Sequence, residues 1–380
     1  MKNIKIKIQF LKSFFLLLIT YLPLLGSEGS ETAKVHFTWK EIPPLPISRE
    51  AQDQIILRGA FSGVHNGVYM IAGGIRTDMH EDTEENIWSD KIYILEKNVD
   101  GGYKWKSPGN YKLPRPLGQG VALSTEEGIL CIGGRDENEC FSDVFLLRWD
   151  NDNQNVEIET KPSLPRPLAL MSGAKIGNSI YIAGGQESIK NARATNNFWT
   201  FNIAQENDQN NHWRELSSWP GPARLKPVVF EQSDGAIDAF YLFGGLSLDP
   251  EREDKLLTDN YHFNPILEEW KHLAVIDSMY SLRHASAVSY GANHVLFFSG
   301  TEQQLLAYHT ITDTCVKLSD LPERGDIGTN VVLWDRAFVF PLTSSKADET
   351  AMKFWEIERQ VIYNFGWLNY SVIIIFFVLL

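Results

Sequence analysis

One pattern constrains this chain more than any other: a short apolar run that ends in paired glycines and then returns. It reads Val68-Tyr69-Met70-Ile71-Ala72-Gly73-Gly74, then Ile129-Leu130-Cys131-Ile132-Gly133-Gly134. It comes back as Ile180-Tyr181-Ile182-Ala183-Gly184-Gly185 and as Phe240-Tyr241-Leu242-Phe243-Gly244-Gly245. Behind each pair stand a polar loop of variable length and a second apolar stretch: Ile92-Tyr93-Ile94, Val144-Phe145-Leu146, Phe198-Trp199-Thr200-Phe201 and Tyr261-His262-Phe263. A tryptophan often follows (Trp105, Trp213, Trp270), and then a proline-rich linker: Leu113-Pro114-Arg115-Pro116, Leu164-Pro165-Arg166-Pro167, Trp219-Pro220-Gly221-Pro222. A fifth copy, Val295-Leu296-Phe297-Phe298-Ser299-Gly300, keeps one glycine, and a sixth, Ala337-Phe338-Val339-Phe340-Pro341, keeps none.

Self-similarity of this kind marks an architecture of stacked units. Short strands with turn residues at near-even spacing fit a sandwich or a propeller, and the fixed repeat favours the propeller. One four-stranded blade cannot bury both faces of its sheet alone, so neighbouring blades must stack face to face around an axis. The glycine pair allows a backbone bend where a side chain would clash. Trp39-Lys40-Glu41-Ile42, followed by Pro43-Pro44-Leu45-Pro46, reads as a last strand and its linker with no earlier strands before it. It is predicted to complete the sixth blade, which would close the ring and remove exposed sheet edges.

These copies resemble the Kelch repeat, and more narrowly the cyclically permuted family related to bacterial sialic acid (N-acetylneuraminate) mutarotases. The resemblance runs from about Trp39 to Phe340. Its more specific stretches are Leu113-Pro-Arg-Pro-Leu117, Gly133-Gly134-Arg135-Asp136, Gly184-Gly185-Gln186-Glu187, Trp213-Arg-Glu-Leu216 with Trp219-Pro-Gly-Pro-Ala-Arg224, and Leu306-Ala-Tyr-His-Thr-Ile-Thr-Asp313. It implies an all-β, six-bladed Kelch-type β-propeller over residues 35–345, an isomerase acting on sialic acid anomers, and no cofactor. Some relatives carry a sodium/solute symporter after the propeller, and Trp367-Leu368-Asn369-Tyr370 running into an apolar stretch looks like such a start. One departure stands out. In the relatives the sixth blade carries Gly-Glu-x-x-Pro-Gly-x-Arg after its apolar strand, whereas here Pro341 is followed by Leu342-Thr343-Ser344-Ser345-Lys346. Glu349 and Glu356 lie nearby without the glycine turn, and the loop after Gly74 and the fifth blade look shortened. A non-catalytic propeller that binds a sugar or a protein partner is therefore the competing expectation.

The ends of the chain read differently from its middle. Lys2, Lys5, Lys7 and Lys12 precede an apolar run from Phe14 to Leu25, so residues 1–27 are expected to be a signal peptide or a retained anchor. Residues 366–380 are almost wholly apolar. As a helix they would span about 22 Å, short of a hydrocarbon core of about 30 Å. They are read as the start of a transmembrane helix, with a tail packed on the blades as the alternative. The expectation is an exported protein, tethered at the periplasmic or extracellular face. Its net charge of −13 and the lack of a basic stripe beyond the N-terminus argue against a nucleic-acid partner. Cys131, Cys140 and Cys315 make no metal-binding spacing, and a Cys131–Cys140 bridge stays open at this point.

In an antiparallel blade the first strand begins and the second ends on the same side. The linkers and the loops after the glycine pairs should thus share one face around the channel mouth, where a rigid scaffold presents variable loops. That face collects Arg58, Arg115, Arg166, Arg224 and Arg283 from linkers or first strands, and Arg76, Arg135, Asp136 and Glu187 from loops. Several cations there would suit a small anionic sugar, whose carboxylate an arginine can hold with two hydrogen bonds. Each could equally tie one blade to the next. Glu187 and Asp136 are the candidate acid–base groups, since mutarotation needs only proton transfer at the ring oxygen and the anomeric hydroxyl. His284 and His309 are read as blade residues.

Overall fold

The computed structural model describes residues 33–46, 56–80, 83–106, 111–205, 212–249, 254–276, 280, 282–344 and 352–363. The segments expected to be a signal sequence and a membrane helix lie outside these. Among the described residues no helix is long and apolar enough to cross a membrane. Trp39–Glu358 forms one compact unit, and Met1–Thr38 with Arg359–Leu380 forms another, of which only the ends of two strands are described.

The compact unit is all-β, and its described residues build six principal antiparallel sheets. The first contains Phe61–His65, Val68–Ala72, Ile92–Lys97 and Tyr103–Trp105 in that order; the second, Val121–Thr125, Gly128–Ile132, Val144–Asp150 and Asn155–Lys161. The third runs Ala169–Ile176, Ser179–Gln186, Phe198–Asn202 and Arg214–Glu215. Val228–Ser233, Asp238–Phe243, Asn260–Asn264 and Glu269–Leu273 form the fourth, and Ser286–Tyr290, His294–Ser299, Gln304–His309 and Thr314–Asp320 the fifth. In the sixth, Gly325–Ile327 and Val332–Trp334 pair with Ala337–Ser344, which pairs with Met352–Tyr363; Ala33–Ile42 supplies the edge. The strand carrying Trp39 therefore does lie last in the sixth sheet, beside the chain's final described strand.

The repeating apolar runs are the second strands, and both of their faces are covered. Tyr69 and Ile71 pack toward Val339 and Phe354 of the sixth sheet, while Val68, Met70 and Ala72 pack toward Ile129, Cys131 and Phe145 of the second. Alternate residues of a strand point to opposite faces, so a strand sandwiched between two sheets must be apolar throughout. Equivalent clusters join the second sheet to the third, the third to the fourth and the fourth to the fifth. Phe298 against Phe338 and Phe340 joins the fifth to the sixth. The first strands meet in the same succession, and Val332–Trp334 returns to Phe61–His65.

The glycine pairs explain how the sheets are tied. Gly73 has φ +69° and Gly133 +58°, in the left-handed region where side chains are strained. A Cβ on Gly73 would meet the Leu117 carbonyl oxygen at 2.0 Å, and one on Gly133 the Leu168 oxygen at 2.4 Å. In the first three pairs the second glycine donates its amide to the linker carbonyl beside the first: Gly74 to Leu117 at 2.8 Å, Gly134 to Leu168 at 2.8 Å, Gly185 to Arg224 at 2.9 Å. These three pairs each grip the linker leaving their own sheet for the next. Two sequence expectations change. The segment after Gly74, expected to be short, forms a hairpin of Ile75–His80 and Thr83–Trp88 that pairs with Ile56–Arg58. Cys131 and Cys140 are buried free thiols, so no bridge joins them.

Candidate functional site

The linkers converge on a ring of equivalent positions, five of which are joined by a run of backbone hydrogen bonds. The amide of Gly59 donates to the Gly328 carbonyl at 2.7 Å, Gln119 to Gly59 at 2.6 Å, Leu170 to Gln119 at 2.8 Å and Lys226 to Leu170 at 2.8 Å. Gly59, Gln119 and Lys226 each stand two residues before a sheet's first strand, and His284 holds the corresponding place before Ser286–Tyr290. Gln119, Leu170, Lys226 and His284 have φ of 58°, 57°, 45° and 53°. Four non-glycine residues held left-handed at equivalent places cost energy that only an over-determined surrounding can offset. The residue before a ring position pairs with the one after a glycine pair: Gly118 exchanges both backbone bonds with Arg135, and Leu225 with Leu246. Beside the ring, the first strands enclose a cavity of about 350 Å³ whose lining includes Gly120, Met171, Pro227 and Ala285, the immediate neighbours of those four ring residues.

The sequence-predicted residues divide into two circles. In the outer one, each linker arginine is tied to the sheet its linker enters. Arg115 pairs with Asp143 at 3.0 Å and lies over the Phe141 ring. Arg166 donates to Glu187 at 2.8 Å and to Asn197 at 2.9 Å above the Trp199 ring. Arg224 is wholly buried: it donates to Gly244 O at 2.8 Å and to Asp259 Oδ2 at 2.7 Å, packed on Trp219 and Tyr261. Burial alone would raise the Asp259 pKa; hydrogen bonds from Arg224 and Tyr261, with the Arg224 charge, hold it below the usual aspartate range. Arg224 thus has no surface left for a ligand, which corrects its reading as a substrate contact.

The two candidate acid–base groups are engaged as well. Glu187 Oε1 accepts from Arg166 and, at 3.0 Å, from Asn197 Nδ2. Asp136 Oδ1 accepts the amides of Asn138 at 2.7 Å and Glu139 at 2.9 Å, which shapes its own loop. Glu356 is buried away from the ring. It accepts from the Tyr103 hydroxyl at 2.6 Å and faces Lys40 and Lys97 at 3.6 and 3.8 Å, tying the sixth sheet to the first. Glu349 lies outside the described residues.

The inner circle surrounds the ring. Arg58 precedes Gly59, paired with Ile75; Arg76 lies one register step further out, opposite Leu57. Arg135 donates its Nε to Gln119 Oε1 at 2.7 Å and stacks over Trp88. Lys226 is exposed to solvent. Desolvation there pulls its ammonium below the ordinary lysine range; the Asp326 charge opposes that and the Arg135 charge adds to it. The solvent-accessible His284 is likewise held low, first by desolvation and then by Lys226, with Asp326 opposing. Arg283 also acts on His284. The mouth therefore gathers Arg135, Lys226, His284, Arg283 and one carboxylate, Asp326. Sequence reading found Arg135 and Arg283 but passed over Lys226 and Asp326, and it took His284 for a blade residue. The signal was available: all of the non-glycine ring residues sit at one repeat position, yet each is a different type.

A succession of small antiparallel sheets, with polar and cationic groups gathered where the linkers meet, is consistent with a propeller, a scaffold that presents variable loops on one face. Residues 161–326 match the family model described as N-acetylneuraminate epimerase, and this stretch holds Lys226, His284 and Asp326. The N-acetylneuraminate epimerase of Vibrio cholerae is 28% identical over 130 residues, covering 31% of this chain and 32% of the relative. That of Brucella suis is 29% identical over 131 residues, covering 31% and 32%. That of Haemophilus influenzae is 31% identical over 116 residues, covering 30% and 27%. The match spans about a third of the length of these curated relatives.

Proposed function

We propose that this chain is a six-bladed Kelch-type β-propeller that binds N-acetylneuraminate at the axial mouth and exchanges its anomers. The observation that carries this reading is the coincidence of two independent facts. The stretch matching the epimerase family model is the stretch that brings Lys226, His284 and Asp326 to the ring. The sugar is a carboxylate at neutral pH, and the inner circle gathers several cations where the linkers meet, an arrangement that suits an anionic ligand. Arg135, held by Gln119 and Trp88, is the carboxylate anchor, with Arg283 at the rim. Anomer exchange needs the ring to open and reclose, which requires one group that takes a proton and returns it. Attachment to the outer face of a membrane, with a fused or associated sodium/solute transporter, belongs to the same proposal. It is supported by the composition of residues 1–27 and 366–380.

The test is saturation-transfer NMR of α/β exchange in N-acetylneuraminate. The protein is expected to accelerate exchange in proportion to its concentration. An exchange rate unchanged at saturating sugar would remove the enzyme reading. The sixth sheet favours a second one, a propeller that binds sugar without catalysis, because Pro341-Leu342-Thr343-Ser344 carries neither the acid nor the arginine expected there. Binding without acceleration is its signature.

A further inference from the structure

We propose that Gln119 is the residue that makes the mouth selective for acidic sugars: it positions the Arg135 guanidinium without neutralising it, so that one edge is held ready for a single carboxylate. This rests on the reading that N-acetylneuraminate binds at the mouth, and it names what the site selects in that sugar. The backbone of Gln119 is bonded on both sides within the ring, its amide to the Gly59 carbonyl at 2.6 Å and its carbonyl to the Leu170 amide at 2.8 Å. Its side chain runs over Gly59. A Cβ on Gly59 would stand 2.8 Å from Gln119 Cγ, so the glycine leaves the path of that side chain open. At the end of the path Gln119 Oε1 accepts from Arg135 Nε at 2.7 Å. Arg135 is held from two further directions, by the paired backbone bonds with Gly118 at 3.0 and 2.8 Å and by the Trp88 ring, 5.3 Å from the guanidinium carbon.

The kind of acceptor carries the inference. Arg115, Arg166 and Arg224 each end on a carboxylate, that of Asp143, Glu187 or Asp259. Arg135 ends on a neutral amide, and among the described residues no carboxylate pairs with it. A carboxylate at position 119 would hold Nε at least as firmly, because charge-assisted hydrogen bonds are the stronger kind, but it would cancel the charge that a ligand needs. With Nε taken, the donors left side by side are Nη1 and Nη2, which have no partner among the described residues. Their spacing matches the two oxygens of one carboxylate. The guanidinium is half-buried and restrained by Gln119 and Trp88, so it has little freedom left to lose when an anion arrives. A neutral sugar brings no such pair of charged acceptors and leaves the cation without a counter-ion.

The experiment uses the full chain and calorimetry at about pH 7.5, where carboxylates are ionised. Two ligands are compared: the methyl glycoside of N-acetylneuraminate, which cannot open, and the methyl ester of that glycoside, the same sugar without the charge. The wild type is expected to bind the acid at least about 10-fold more tightly than the ester. Gln119→Glu keeps the length and the acceptor but adds a counter-ion. It should weaken the acid at least about 10-fold and the ester by less than about threefold, so that the preference collapses. If Gln119 only braced the scaffold, the same substitution would leave both affinities unchanged. Equal binding of acid and ester by the wild type, an acid affinity that survives Gln119→Glu, or an equal loss for both ligands each overturns the role of Gln119 and leaves sugar binding at the mouth standing. Absence of binding of either ligand to the wild type overturns both. Should Gln119→Glu not fold, Gln119→Met removes the acceptor without adding charge. It should weaken the acid several-fold and spare the ester, and an unchanged acid affinity overturns the proposal in the same way.

Discussion

The outer circle of linker arginines and the inner ring at the mouth arise from the same repeat, yet their charges meet opposite fates. Arg115, Arg166 and Arg224 each find an acceptor just before the third strand of the sheet they enter, at Asp143, Asn197 and Asp259. Their positive charge is used within the scaffold. One step toward the axis, Gln119, Leu170, Lys226 and His284 occupy equivalent places with four unlike side chains. A position that repeats in chemistry is serving the fold; one that repeats in backbone but varies in chemistry is available to a ligand. Counting arginines around the mouth merges the two circles, whereas following the backbone ring separates them.

Substitutions can break this contrast. The largest effect on stability is expected at Arg224. Replacing it with alanine leaves Asp259 partly buried without its partner, and denaturant unfolding should show a loss of about 3 kcal/mol or more. That loss should depend on pH. Because the folded Asp259 pKa lies below its unfolded value, the pair stabilises fully above the unfolded aspartate range. Its contribution fades as pH falls below about 4, so the wild-type and Arg224→Ala curves should converge in acid. Next comes Gly133→Ala, which sets a methyl against the Leu168 carbonyl at a positive φ. It should cost about 1–3 kcal/mol in the same measurement and should not alter sugar affinity in the folded fraction.

Smaller effects sharpen the contrast. Arg115→Ala removes a half-exposed pair and should change unfolding free energy by less than about 1 kcal/mol. Gln119→Ala should leave stability nearly untouched while weakening binding of the methyl glycoside several-fold by calorimetry, since Arg135 loses the acceptor that aims it. If Arg115→Ala were to weaken sugar binding and Gln119→Ala were not, the assignment of the two circles would be reversed.

Much of the fold was legible beforehand, for identifiable reasons. The runs from Val68, Ile129, Ile180 and Phe240 are apolar at every position because both faces of those strands are covered, and each is a second strand as expected. Trp39 could be placed in the last sheet because a strand with a linker behind it and no partners before it has one place to go. The hairpin after Gly74 was missed because Arg76, Asp78 and Glu84 to Asn86 look like a polar loop; it forms because Ile56–Arg58 comes back to pair with it.

The site was less legible. Glu187 and Asp136 were nominated from their loops, but no local pattern announces that Asn197, ten residues on, or the amides of Asn138 and Glu139 bond to their oxygens. What the sequence determined by itself was the repeat, since periodic apolar runs ending in glycine pairs can be buried only by stacking one sheet on the next. What the tertiary structure alone decided was which charges stay available. Pairing and desolvation depend on neighbours such as Asp259 for Arg224, or Asp326 and Arg135 for Lys226, which lie tens of residues away along the chain and meet only when the ring is assembled.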